Sequence, residues 1–219
     1  MVVTGGAGAL GGAVVAAFAR AGAVVHVPVH GALRAPFPDG VTPTPGVDLT
    51  DEAAVVAYYA SLPDALWASV HLAGGFAMAG ITETRLADLR AQLDLNLVTT
   101  FLCCREAVRK FRRRADTAGG RIVNVAARTA LRPEGGKVAY GAAKAGVVSL
   151  TAALAEELRA ERIVVTAVAP GTLDTPANRA AMPGIDPGAF VKTEALAALI
   201  LLLASDELGA ASGAIIPAY

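Results

Sequence analysis

Tyr140 and Lys144 stand four residues apart in Tyr-Gly-Ala-Ala-Lys, a small-residue segment whose composition predicts a helix. Four residues on a helix put two side chains on one face, one above the other. An ammonium beside a phenol favours the phenolate, because an opposite charge stabilises the ionised form. Such a tyrosine can donate or accept a proton near neutral pH, where a free phenol with a pKa of about 10 is too weak an acid. The plain alternative is a half-buried tyrosine and a solvated lysine on an amphipathic helix. The pair alone does not choose between them.

Elements that would position this pair flank it. Arg121 to Val125 reads as a buried strand, Asn124 to Ala127 as its exit, and Pro133, Gly135 and Gly136 as a loop before the helix over 140–159. Near the start, Met1 to Val3 is a strand stub, short enough to be what a start placed too late would leave. Thr4-Gly5-Gly6-Ala7-Gly8-Ala9-Leu10-Gly11-Gly12 then leads into a helix over 13–21. Gly6, Gly8 and Gly11 match G-x-G-x-x-G after a strand and before a helix, the dinucleotide pattern. Its physics is close approach: without side chains, a pyrophosphate reaches the amides at a helix N-terminus.

The second strand, over 23–29, ends without the acidic residue that would accept the hydroxyls of an NAD ribose. Val29, His30 and Arg34 stand there instead, which leans the cofactor, NADP or NAD, towards NADP. Pro36 to Pro45 holds four prolines and reads as a loop. Asp48 is either an acceptor for an adenine amino group, with Leu49 beside it, or a turn residue. Thr50 or Asp51 caps a helix ending at Ser61. A strand over 68–72 runs into Ala73-Gly74-Gly75, where the chain can pass close to a ribose. A long helix over 85–114 carries Asn96 and ends in Arg109, Lys110, Arg112, Arg113 and Arg114, cations that the helix dipole favours there without nucleic acid. A strand over 163–168 precedes Pro170-Gly171-Thr172 and Thr175, a substrate-side segment covers about 172–192, and a helix over 193–204 and a strand over 213–216 follow.

Of 219 residues, 54% are hydrophobic, and 19 Lys plus Arg cancel 19 Asp plus Glu. That balance argues against nucleic acid as a partner and suits a buried sheet. No secretory signal is expected, the apolar run 195–204 is too short for a bilayer, and the cytoplasm is the default compartment. Adjacent Cys103 and Cys104 cannot bridge each other and read as core or interface thiols. His26, His30 and His71 lack further ligands at metal spacing, so no metal is expected. Strand and helix alternate throughout with short connections. The expected fold is α/β: a single-domain doubly wound (Rossmann) parallel sheet with helices on both faces, its ligand at the carboxyl ends of the strands.

Taken together, Thr4 to Gly11, Ala73-Gly74, Asn96, Tyr140 to Lys144 and Pro170-Gly171 with Thr175 resemble the short-chain dehydrogenase/reductase family over nearly the whole chain. The resemblance implies hydride delivery from a nicotinamide cofactor and proton transfer by Tyr140. It also implies that Lys144 binds the nicotinamide ribose and lowers the tyrosine pKa, that Asn96 helps hold a relay water, and that Thr175 meets the carboxamide. Ala9 departs from a usual glycine, His71 from a common asparagine, and Ala127 from the family's catalytic serine. Losing that serine's hydrogen bond costs a few kcal/mol of transition-state stabilisation for a carbonyl substrate. Thr129, Arg128 or a water must replace it, or the substrate does not need it.

The dihydropteridine reductase branch is similar at the glycine turn, at Ala127, at Ala73 to Phe76, and at Thr172-Leu-Asp-Thr-Pro-Ala-Asn-Arg-Ala-Ala-Met-Pro183. It implies a quinonoid dihydropterin, an electron-poor imine that needs a proton more than a serine clamp. The alternative enzyme is a ketone or 3-oxoacyl thioester reductase or an alcohol dehydrogenase. The alternative outside enzymes is a cofactor-binding sensor. The small and apolar residues over 95–113 and 139–158 predict a homodimer or homotetramer through those helices.

Overall fold

Residues 1–31, 36–114 and 119–219 are described by the structure, a computed structural model. Among them, seven strands form one parallel sheet: β1 (Val2–Thr4), β2 (Val25–Val29), β3 (Val41–Pro45), β4 (Ala68–His71), β5 (Gly120–Val125), β6 (Ile163–Pro170) and β7 (Ile215–Ala218). Their order is β3-β2-β1-β4-β5-β6-β7. The direction of winding reverses between β1 and β4, and that reversal opens a crevice at the carboxyl ends. The doubly wound expectation holds.

Both faces of the sheet are covered, so its central strands are buried along their length rather than at alternate residues. Val3, Val70, Val123 and Val168 pack with α1 (Ala9–Arg20) and α8 (Thr193–Leu203). Val2, Ile122 and Val165 pack with α2 (Glu52–Ser61) and α4 (Thr99–Phe111) on the other side. Val2 and Val3 are fully buried, so the short β1 still removes two side chains from water, worth about 1.5–3 kcal/mol each. Both cysteines lie free in this core, as expected.

Pro36 to Pro45 is not all loop, because its last five residues form β3. The prolines are tolerated since β3 is an edge strand: Pro43 and Pro45 occupy alternate positions, whose missing N–H groups can face the open side. Pro28 has the opposite effect inside β2. It removes a donor from the β1 side, where the ladder is limited to Val2 against His26.

The long helix over 85–114 is interrupted. It runs as α3 (Leu86–Leu93), a π turn over Asp94–Val98, and α4. Three of its terminal cations are paired, Arg109 with Glu106, Lys110 with Asp64 and Arg112 with Glu161, which agrees with a structural role. After β5 come the one-turn α5 (Arg128–Leu131) and α6 (Val138–Glu157). By length and composition α6, rather than 195–204, could cross a membrane. Here it packs on β6 and buries Lys144. A short α7 (Pro176–Ala181) lies within the expected substrate-side segment.

Candidate active site

The glycine turn is built by contacts that allow no side chain. A Cβ on Gly11 would stand 2.0 Å from the Gly5 oxygen, and one on Gly5, at φ +67°, would stand 2.8 Å from the Ala73 nitrogen. The first turn of α1 is thereby pressed against the exit of β1, and the exit of β4 against both. Gly8 is the N-cap without any side-chain hydrogen bond, and Ala7, Gly8 and Ala9 are exposed while Gly6, Leu10 and Gly11 are buried. Unsatisfied amides at an open helix N-terminus suit a pyrophosphate, so this cradle fits a dinucleotide. Thr4 is buried, and its hydroxyl accepts the amides of Leu72 and Ala73 at 3.1 and 3.2 Å, so it ties β1 to β4.

Tyr140 and Lys144 do share one face of α6, with the ammonium 6.0 Å from the tyrosine ring centre. Lys144 is buried and donates from Nζ to the Val125 oxygen at 2.8 Å. Burial acts against the expected lowering of the tyrosine pKa. Burial raises Tyr140 to about 12 and lowers Lys144 to about 8. Desolvation outweighs attraction between the pair because the ammonium is committed to a carbonyl and each charge lacks water. Among the described residues none hydrogen-bonds the Tyr140 hydroxyl, which leaves it for a ligand. Phe76 meets the Tyr140 ring edge-on at 4.9 Å.

Asn96 lies in the π turn, completely buried. Its Nδ2 donates to the oxygens of Gly75 and Gln92, both at 3.0 Å, and its Oδ1 accepts the Gly75 amide at 3.2 Å. A Cβ on Gly74 would collide with that Oδ1 at 2.6 Å and lie 3.5 Å from the Lys144 Nζ. Asn96 thus docks Gly74 and Gly75 beside Lys144, and its side chain is fully occupied in doing so. The π turn that aims it is a device that periodicity does not reveal.

Ala127 is buried and brings no donor. Of the candidate replacements, the Thr129 hydroxyl is buried without a partner, and Arg128 is paired with Glu134 at 2.9 Å. Behind this position runs a chain of buried polar groups that sequence reasoning missed. Tyr59 hydroxyl meets Ser69 Oγ at 2.9 Å, Ser69 meets His71 Nε2 at 2.8 Å, and His71 Nδ1 meets Asn124 Oδ1 at 2.8 Å. Asn124 Nδ2 then donates to Thr151 Oγ1 at 2.9 Å, and Thr151 donates to the Val147 oxygen. The amide oxygen of Asn124 can only accept, so Nδ1 of His71 carries the proton and Nε2 accepts from Ser69. Burial holds the His71 pKa down at about 4, which fits a neutral ring and the expected structural role. The departure of His71 from asparagine was the available signal.

Other expected cofactor residues are dispersed around the crevice. His30 is exposed just beyond β2, while Arg34 lies outside the described residues. Asp48 closes its own turn by accepting the amide and hydroxyl of Thr50 at 2.9 and 2.7 Å, bonds that hold its carboxyl below the usual range. Both bonds go to Oδ1; half-buried Leu49 stands beside Asp48, and Asp51 caps α2 through the Ala53 amide. Pro170 ends β6, and Gly171 and Thr172 follow at the carboxyl edge. Thr175 caps α7 by accepting the Asn178 amide at 3.1 Å. Two surface hollows, one lined by Tyr59 and Lys110 and one by Gly119 and Ile163, lie away from Tyr140.

Comparison with known proteins agrees with this fold. The family model for short chain dehydrogenase matches residues 1–185. The chain belongs to that family. It is 35% identical over 152 residues to the 3-oxoacyl-acyl-carrier-protein reductase of Thermotoga maritima, a match covering 63% of this chain and 61% of that protein. The chain therefore spans less than two thirds of that curated relative. Sorbitol-6-phosphate 2-dehydrogenase from Erwinia amylovora superposes with a TM-score of 0.88 at 27% identity, over 99% of this chain and 96% of that one. ElxO with NADP bound has the same fold, with a TM-score of 0.88 at 23% identity over 99% of this chain and 95% of that one.

Proposed function

We propose that the chain is an NAD(P)H-dependent oxidoreductase that reduces a carbonyl, with a ketone of the 3-oxoacyl thioester type as the leading substrate class. The observation that carries this reading is the Tyr140 hydroxyl, unpartnered and beside the buried ammonium of Lys144, next to a glycine cradle on the same sheet edge. The likeness to the 3-oxoacyl reductase supports the substrate class. Gly6, Gly8 and Gly11 would hold the pyrophosphate of the cofactor, and Lys144 its nicotinamide ribose. His30, in place of a carboxylate, favours NADP over NAD.

A bound reduced nicotinamide supplies hydride. The chain supplies the rest. Tyr140 donates its proton to the oxygen of the reduced carbonyl, and Lys144 steadies the phenolate left behind. Asn96 keeps Gly74 and Gly75 against Lys144, so the ammonium is held in place during transfer. The 172–192 segment borders the substrate side, and two buried thiols suit a reducing, cytoplasmic setting. Exposed Leu95, Phe101 and Val138 support pairing of two or four copies through the 95–113 and 139–158 helices, which sedimentation would check.

The test is oxidation of NADPH and NADH with acetoacetyl-CoA, a ketone panel and quinonoid dihydropterin. Acetoacetyl-CoA reduction with preference for NADPH, lost in Tyr140→Phe, is the expected result. Silence on every substrate from a protein that binds cofactor rejects the reading. A second reading, reduction of a quinonoid dihydropterin, is favoured by Ala127: an electron-poor imine needs no serine clamp. Turnover of the pterin with none of the ketones would establish it in place of the first.

A further inference from the structure

We infer that the substrate carries a compact anion, a carboxylate or a phosphate, at the end remote from its reducible carbonyl, and that Arg128 and Arg132 hold it. The inference rests on the reductase reading for where the carbonyl lies. Its own basis is a second cluster on the wall of the crevice. Arg128 and Arg132 converge on the ring of Tyr219, their guanidinium carbons 5.8 and 5.3 Å from its centre. Tyr219 itself is seated at the carboxyl edge of β6. The Gly171 amide donates to the Ala218 oxygen at 3.0 Å, and a Cβ on Gly171 would stand 2.9 Å from that of Tyr219.

Charge in this cluster does not balance. Glu134 accepts from Arg128 at 2.9 Å and from Lys137 at 2.6 Å. Among the described residues no carboxylate pairs with Arg132. Three cations thus share one side-chain carboxylate. Arg128 opens α5 and Arg132 follows its last residue outside helical geometry, yet both guanidiniums lie over the same ring, which brings two like charges together. The Tyr219 ring attracts each guanidinium, and an oxyanion between the two would offset the repulsion that remains between them. The planar fork of arginine suits both carboxylate and phosphate.

The cluster also connects to the reacting end. Lys137 lies 5.9 Å from the Phe76 ring centre, and Phe76 stands edge-on to Tyr140. Arg128 follows directly on Ala127, the position from which the serine donor is missing. Anchoring one end of a substrate by its charge orients the other end, which is the task a serine hydroxyl otherwise shares.

The experiment uses matched pairs that differ in charge. Acetoacetate, levulinate and 4-acetylbenzoate are each set against the methyl ester, and dihydroxyacetone phosphate against dihydroxyacetone. KM and kcat with NADPH, and calorimetric binding to the NADP-loaded protein, are measured for the native chain, Arg132→Gln and Arg128→Gln. In at least one pair the anion should show a KM lower by about tenfold or more, weakening with salt, and the ratio should collapse towards one in Arg132→Gln. Preference confined to the phosphate or to the carboxylates identifies the anion. Equal constants within every pair, or a preference that survives both substitutions, overturns the inference while leaving the reductase reading intact. If nothing is turned over, the reductase reading falls and calorimetry alone decides: arginine-dependent binding of an anion upholds the site, and its absence removes it.

Discussion

The ammonium of Lys144 donates to the carbonyl oxygen of Val125 at 2.8 Å, and this bond joins the end of β5 to the helix that carries Tyr140. A charge so held is costly to the fold. With a folded pKa of about 8 against an ordinary 10.5, Lys144 has released its proton between these values while the unfolded chain retains it. Stability therefore rises with pH across that window. Tyr140, raised from 10 to about 12, acts in the opposite sense above pH 10.

Lys144→Met should accordingly be more stable than the native chain at pH 7, by about 1–2 kcal/mol once the lost bond to Val125 is set against the relieved desolvation. Its reductase activity should vanish. Urea unfolding at pH 7 and pH 9 checks the first half, and a smaller difference at pH 9 is required. A variant less stable at both pH values would show that the buried charge is not the dominant cost.

His71 predicts a different pH dependence. Its folded pKa is about 4 against an ordinary 6.5, so the unfolded chain binds a proton that the native core refuses. Stability is full above pH 6.5 and falls as the pH drops towards 4, by about 1.4 kcal/mol per unit. His71→Asn should flatten this fall and cost about 1–3 kcal/mol at pH 7 through the broken links to Ser69 and Asn124. Urea midpoints between pH 4 and 7 measure both. An equally steep acid loss in the variant would assign it to other groups.

Ala127→Ser restores the donor that the site lacks. If the native substrate is a plain ketone, kcat should rise, by up to about 100-fold, as for one preorganised donor gained. Steady-state kinetics on the ketone panel with NADPH is the check. No change would mean that another group already orients the carbonyl, and the arginine pair is the first to examine.

Two neighbouring glycines separate close approach from chain entropy. Gly11→Ala puts a Cβ 2.0 Å from the Gly5 oxygen, whereas Gly12 has no atom within 4 Å of its Cβ position. The first substitution should abolish cofactor binding and destabilise the fold. The second should stabilise helix α1 by about 0.5–1 kcal/mol. Fluorescence titration with NADPH and thermal unfolding read the two effects, and similar behaviour of both variants would refute the turn described here.

Much of the architecture was present in local pattern. Alternating apolar runs and helical periodicity specify the βα repeat, and helical spacing alone puts Tyr140 above Lys144, because both are properties of a few consecutive residues. The glycine pattern marked the nucleotide turn for the same reason. What the tertiary structure decided depends on residues distant in sequence. Pro43 and Pro45 became a strand because they fell at the edge of the sheet. Asn96 was aimed by a π turn against Gly75, and the Tyr140 and Lys144 pKa values were set by burial rather than by each other. His71 found Asn124 fifty-three residues away, and Tyr219 reached Gly171 only through the pairing of β7 with β6. Burial and long-range contact are sums over the whole packed chain, so no window of sequence contains them.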